Sequence, residues 1–523
     1  MLKLQAASLD WALAHVQWYG DTDVFPVPFE YDAIEHDWVN VKASLLDADV
    51  LQWTTRPQRI LLSPKNKTGF RVITQLDPLD FIVFASLVRE IAAELETRRV
   101  PVPENRVFSY RAAPLADGQL FSPVTGYRQF LDECSKKLRA NPRTLFVATT
   151  DISDFYARIY HHRLENALHT ATTKTNHVRA IMQLLSGWNG TETFGIPIGS
   201  APARLLAEST LADVDEALLA AGVDFIRFND DYRIFAETYE QGYRAVTYLA
   251  ETLYRNHGLQ LQPQKTKVYQ VEAFRQKFLV TPLDREMDSL HEKFEQLADE
   301  LGLNDWYEPI EYDDLDDDQK AAIDSLNLAE LFREELQEDE PELPILRFVL
   351  RRLSQLGDGT LVDDIISSLD KLHTALPDIC RYIQSLRHLD PVGKSALGAR
   401  MLTLLSGSVV SELPYHRMWI LDLFVHSREW DNESKFFALY GTETDPACRR
   451  NLILAMGRAH QAHWFQSQWR TLFDQPHWPR RALLAGGSCM PPDARRHWYR
   501  SVESQLDVLE LAVMRWARQH PFL

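Results

Sequence analysis

With 523 residues, 45% of them apolar, the chain is long enough to bury two or three separate cores and too long for one typical domain. No apolar run reaches the length of a membrane span and no charged-then-apolar leader opens the chain, while Cys134, Cys380, Cys448 and Cys489 are scattered without paired spacing, so membrane insertion, secretion, a zinc site and a disulfide frame are not expected and a cytoplasmic location is. A net charge of −18 argues against a nucleic-acid ligand only until its distribution is read: 18 acidic residues against Lys320 and Arg333 fall between Asp299 and Glu342, which leaves the rest close to neutral and free to carry a basic groove.

In chain order, residues 1–56 read as a helix stopped near Gly20, then an extended arm, Gly20-Asp21-Thr22-Asp23, leading into a Pro-containing stretch. Residues 57–75 are two strand-like runs around a Lys/Gly turn, a hairpin presenting Lys65, Lys67 and Arg71; the Arg fork suits phosphate. A strongly periodic helix follows, with Asp77 or Asp80 able to cap it, and then Tyr110-Arg111.

Residues 145–168 pass from a strand-like start, Leu145 to Val147, to Asp151 and an amphipathic helix that begins near Phe155 and Tyr156; Asp154 is expected to cap it or serve through its backbone. Residues 195–208, GIPIGSAPARLLAE, are a Gly/Pro loop opening a helix. Residues 223–236 place Asp230 and Asp231 between two Phe/Ile/Tyr-rich runs, a hairpin with acid at its tip and Asn229-Asp230 at its turn. Adjacent carboxylates repel unless a cation neutralises them, so the dyad points to hard-oxygen ligation of Mg or Mn. A third carboxylate at a strand end, Asp151, completes the set needed to hold two metals for phosphoryl transfer. An amphipathic helix, Tyr239 to Asn256, then leads to GLQLQPQKTKVYQ with Lys265.

Beyond residue 285 the strand signal fades. Residues 285–343 form an acidic helical linker, ordinarily a solvated element. From 344 to 523 prolines at 344, 377, 414, 446 and 479, spaced by 33, 37, 32 and 33 residues, each open an apolar helix, four of them followed by Arg347, Arg381, Arg417 or Arg449. One supersecondary unit per repeat is the mark of an α-solenoid of the HEAT type. Trp464, Trp469, Trp478, Trp498 and Trp516 are expected in its core more than on a base-stacking surface.

Asp151 with Phe155 and Tyr156, Gly199 in its loop, and Phe228-Asn229-Asp230-Asp231, in that order, resemble motifs A, B and C of reverse transcriptases. The resemblance implies an α+β fingers-palm domain over 57–284 followed by an all-α HEAT-like domain over 344–523. It implies a metal set of Asp151, Ile152, Asp230 and Asp231. Lys65, Lys67 and Arg71 would grip the triphosphate, Phe155, Tyr156 and Gly199 would line the nucleotide, and Lys265 would stand by the leaving pyrophosphate. Tyr156 is where a ring excludes a 2′-hydroxyl. Ile198 replaces the Gln usual before the loop glycine, which bears on templating.

A fingers and palm followed by helical repeats, in place of an ordinary thumb and RNase H, resembles the bacterial abortive-infection and defence-associated reverse transcriptases. That implies antiphage DNA synthesis from dNTPs with Mg2+ or Mn2+, without an added template and primed by a protein hydroxyl, in a homo-oligomer, trimer or hexamer, built through the helical half. A noncoding RNA template is the rival within the class. A repeat scaffold with a relic polymerase is the rival outside it, and the intact Asp151, Asp230 and Asp231 speak against that.

Overall fold

The computed structural model describes residues 1–279, 327–339, 341–430 and 432–520, so most of the acidic linker expected over 285–343 lies outside the described residues. The described residues form two compact units. One holds Met1–Tyr31, Trp38–Ile60 and the described residues from 73 to 279; the other holds Asp32–Asp37, Leu61–Val72 and the described residues from 327 onward. The N-terminal helix and arm, residues 1–56, fall almost wholly within the first unit. The outer part of the 57–75 hairpin groups with the helical residues instead.

Strands β1 (Arg59–Pro64) and β2 (Phe70–Gln75) make that hairpin. The first unit is centred on a four-stranded sheet of β3 (Phe146–Asp151), β4 (Phe225–Phe228), β5 (Asp231–Ala236) and β6 (Lys267–Gln270), in the order β4-β5-β3-β6. Each pairing among them is antiparallel, and the register sets Asp151 opposite Asp231. Alternation decides which side is buried: Val147, Ile226 and Phe235 join Phe108, Phe130, Cys134, Leu138 and Phe274 in one apolar cluster. Full burial of a ring such as Phe130 is worth about 1.5–3 kcal/mol.

The helix Pro78–Arg98 starts on Asp77, whose carboxylate accepts from Leu79 N at 3.2 Å, with Pro in the first turn. Being apolar over most of its circumference, it is buried, meeting the helices Ala6–Tyr19, Thr175–Asn189 and Ala201–Thr210. The single helix expected after Asp151 is two pieces, Phe155–Arg158 and His161–Ala171. Asp154 sits at the first cap with φ 47°, but its side chain makes no capping bond.

In the second unit the Pro-opened helices Leu343–Leu356, Leu376–Gln384, Pro414–His426, Pro446–Arg458 and His477–Gly486 stack each on the next. Between them run Pro391–Thr403, Glu433–Thr442 and Ala462–Gln468. Arginines stitch the repeats: Arg347 reaches Asp378 at 3.0 Å, Arg417 takes Glu443 at 2.9 and 3.0 Å, and Arg480 takes Glu510 at 3.1 Å. Trp478 and Trp498 are buried in the core, and Trp464, Trp469 and Trp516 are half-buried. No helix among the described residues is long and apolar enough to cross a membrane.

Candidate active site

The β4-β5 turn carries the acid. Asn229 takes a left-handed φ of 55°, a conformation that Asn tolerates better than most residues, and this turns the chain in the two residues between Phe228 and Asp231. Asp230 is thereby set beside the end of β3, where its carbonyl accepts from Ile152 N at 3.1 Å. Asp151 and Asp231 are cross-strand partners, so three carboxylates share one sheet end.

Two cations meet them. Lys265, in the turn before β6, places its ammonium on Asp151. Arg233, two residues along β5 from Asp231, pairs with that carboxylate while its guanidinium lies 5.4 Å from the Phe130 ring centre and 5.1 Å from that of Phe278. Burial and then the neighbouring Asp151 push the Asp230 carboxyl up to about 7. Burial also raises Asp231, although Arg233 pulls the other way. Burial disfavours the Lys265 ammonium, but Asp151, Asp230 and Asp231 outweigh it and raise its pKa.

Three acids against two cations, one of them sandwiched between rings, form a site short of positive charge. The residues therefore fit a hard divalent ion held by oxygen, for which Asp151, Asp230 and Asp231 would offer the carboxylates. Ile152, expected in the metal set, has a buried side chain and can offer only its carbonyl. A second group, His477, Asp507 and Glu510 in the helical unit, has its ligand atoms within 4.8 Å of one another. There Asp507 and Glu510 form a capping box and Arg480 donates to Glu510, which accounts for the cluster without an ion.

Tyr156 and the acid turn are joined through one amide. The Tyr156 hydroxyl donates to Asn229 Oδ1 at 3.2 Å, and Asn229 Nδ2 donates to Asp230 Oδ1 at 2.7 Å. Burial raises the phenol well above its ordinary value, so the hydroxyl keeps its proton. Phe155 is buried beneath, its ring centre 5.5 Å from that of Tyr156.

Gly199 has φ 110°, and a Cβ there would come within 2.8 Å of Thr22 Oγ1 and 3.1 Å of Val24 Cγ2. The arm given no chemistry in the sequence thus lies on the motif B loop. Asp23 pairs with Arg204 at 2.5 Å, and the Arg204 guanidinium stands 5.3 Å from the centre of the Tyr110 ring.

Below the turn is a network that the sequence did not disclose. Arg227 Nη1 donates to the Asn229 carbonyl at 2.8 Å and to Glu208 Oε2 at 2.9 Å, and its Nε and Nη2 hold Asp215 at 2.9 and 2.5 Å. Arg99 donates to the same Glu208 oxygen at 2.6 Å; Ser109 accepts from Asn229 N at 2.7 Å and donates to Glu208 Oε1 at 2.5 Å. All five side chains are buried.

Lys65, Lys67 and Arg71 are placed otherwise. They lie on the part of the hairpin that groups with the helical unit, where Lys65 N closes the turn on Gly69 O at 2.7 Å and Lys67 Nζ approaches the Asp339 carbonyl at 3.5 Å. The carboxylates, Lys265, Tyr156 and Gly199 all belong to the other unit.

Residues 87–297 match the family described as reverse transcriptase (RNA-dependent DNA polymerase), a span that includes Asp151, Gly199, Asp230, Asp231 and Lys265. Among solved structures, telomerase from Candida albicans in complex with a TWJ fragment of telomeric RNA is similar at 11% identity and a TM-score of 0.33, over 80% of this chain and 72% of that one. No curated protein matches the sequence. The chain carries a reverse transcriptase domain and is a nucleotidyltransferase of the RNA-directed DNA polymerase type.

Proposed function

We propose that the protein is an antiphage DNA polymerase that joins deoxynucleotides without an added template, starting from a hydroxyl of a protein side chain. The observation that carries the polymerase part is the seating of Asp230 beside Asp151 at one sheet end, with its carboxyl raised to about 7 by burial and by the neighbouring Asp151. The defence part rests on the architecture, a polymerase domain followed by Pro-opened helical repeats.

Bound by Asp151 and Asp230, two Mg2+ or Mn2+ ions would lower the pKa of the attacking hydroxyl and neutralise the β- and γ-phosphates. Lys265, held on Asp151 by an ion pair, is in place to move its ammonium onto departing pyrophosphate. Tyr156 presents a ring to the sugar, tethered through Asn229 to the acid turn. The helical half builds a homo-oligomer in this reading.

The test is incubation of nuclease-treated protein with labelled dNTPs and Mg2+ or Mn2+, resolved on a denaturing gel with and without protease, with Asp230→Asn as the blank. A long product whose mobility changes on proteolysis is expected. Product only after cellular RNA is restored would replace this reading with a templated one, and no product in either case would remove it.

A further inference from the structure

The helical unit holds a pocket of about 260 Å³ whose lining includes Arg351, Gln355, Asp378, Arg381 and Gln384. Its chemistry differs from that of two later junctions. There Arg417 meets Glu443, and Arg480 meets Glu510, which also has His477 at 3.6 Å. Here a single carboxylate faces three guanidiniums, with Asp378 3.0 Å from Arg347, 4.0 Å from Arg351 and 3.7 Å from Arg381. Asp378 is 4% exposed, against 55 and 40% for Arg351 and Arg381 of the lining, so the negative charge is at the floor and the positive charge at the mouth. Among the described residues no second acid lines the pocket.

Two further features point to an oxygen-rich anion. Gln384 Nε2 is buried without a hydrogen-bond partner, a donor left waiting for an acceptor. Arg381 is set in place by the Trp419 ring, whose centre lies 4.8 Å from its guanidinium carbon. The nearby hydroxyls are already committed, Ser354 to the Leu350 carbonyl and Ser385 to that of Tyr382. What remains for a ligand is N–H donors and positive charge from two successive repeat helices, Leu343–Leu356 and Leu376–Gln384. Guanidinium forks match the oxygens of a phosphoryl group, and the volume admits one or two such groups.

We propose that this pocket is a phosphate site, in which Arg351, Arg381 and Gln384 take a phosphoryl group of a nucleic-acid strand or of a free nucleotide or pyrophosphate. It goes beyond the polymerase assignment and does not depend on it, because the site is built wholly from the helical repeats.

The test uses full-length protein carrying Asp230→Asn, so that synthesis plays no part. Binding of a fluorescent oligothymidylate is followed by anisotropy over a range of salt, and thermal shifts are recorded with inorganic phosphate, pyrophosphate and dATP. Arg351→Gln, whose side chain is more than half exposed and only 4.0 Å from Asp378, is the variant expected to fold unchanged. Gln384→Glu replaces the waiting donor with a negative charge. If the ligand is a strand, Arg351→Gln weakens oligothymidylate binding about three- to tenfold and lowers the salt slope by about one, and Gln384→Glu weakens it at least as much. If the ligand is a free phosphate compound, strand binding is unchanged and the thermal shift given by pyrophosphate or dATP is lost in both variants. Variants that match the parent in strand affinity, salt slope and every thermal shift would overturn the proposal and leave the arginines as a shield for Asp378.

Discussion

The guanidinium of Arg227 holds the main-chain carbonyl of Asn229 at 2.8 Å, and the same nitrogen holds Glu208 at 2.9 Å. The acid turn is therefore bolted to the helix Ala201–Thr210 through a buried ion network. Arg227→Met would leave Glu208 and Asp215 buried with their main counter-charge gone, at a cost of about 3–5 kcal/mol. Chemical denaturation should show this as a large loss of stability. Ser109→Ala is milder: it strands Asn229 N–H and one Glu208 oxygen, for about 1–3 kcal/mol. It should fold, yet incorporate nucleotides more slowly because the turn is less firmly seated, which single-turnover measurements on folded protein would read.

Asp230→Asn keeps shape and removes charge. Synthesis should cease, while the melting temperature measured without metal above pH 7 should rise, because the ionised Asp230 is disfavoured by burial and by Asp151. A fall in melting temperature would show that the carboxylate supports the metal-free fold.

Tyr156→Ala and Tyr156→Phe separate ring from hydroxyl. The alanine variant should admit ribonucleotides more readily in competition assays. The phenylalanine variant should keep its preference for deoxynucleotides but lose the bond to Asn229 Oδ1, lowering the incorporation rate.

Asp21, in the arm, is buried and accepts from Gln75 Nε2 at 3.0 Å, and burial pushes its carboxyl up to about 7. Arg59 and Tyr31 are the charged or titratable groups that act with it, and Glu30 and Asp77 act in turn on Tyr31. A carboxyl raised in the fold binds its proton more tightly there than in the unfolded chain. Its contribution is full below the ordinary carboxylate range near pH 4 and is lost as pH rises to about 7. Asp21→Asn should flatten the fall in melting temperature across that window, and thermal melts from pH 4 to 8 would reveal it.

Gly199→Ala adds a Cβ at φ 110° and 2.8 Å from Thr22 Oγ1. Strain and contact together should cost about 1–3 kcal/mol and raise the KM for dNTPs as the loop and the arm are pushed apart.

Much of the site was legible because its signals are local. Asp151, Asp230 and Asp231 stand out as strand-like runs around acid, and Asn229 by its tolerance of the turn; that Asp151 and the hairpin meet was implied by the resemblance, and the register sets Asp151 opposite Asp231. Lys265, singled out through the resemblance, falls beside Asp151. What stayed hidden depends on partners far apart in sequence. Glu208 looks like an ordinary helix residue until Arg99, Ser109 and Arg227 converge on it. The arm looked like a structural lead-in because its partners, Gln75, Gly199 and Arg204, lie from tens of residues to more than a hundred away. One clue was present: a polar Gly-Asp-Thr-Asp segment between two apolar stretches has to find acceptors and donors somewhere if it is buried. The division of the 57–75 hairpin between two units had no local signal, since strand pattern fixes pairing and not what the strand rests on.

The Asp23–Arg204 pair joins residues 181 positions apart. Closing a loop of that span is an entropic debt that falls due before the contact returns anything, so it belongs to the late steps of folding. On the ribosome the arm emerges early and waits, without its counterpart, until most of the palm has been made. The chain therefore cannot fasten its arm to the helix Ala201–Thr210 while it is still short, and that closure comes only when the palm itself is nearly whole.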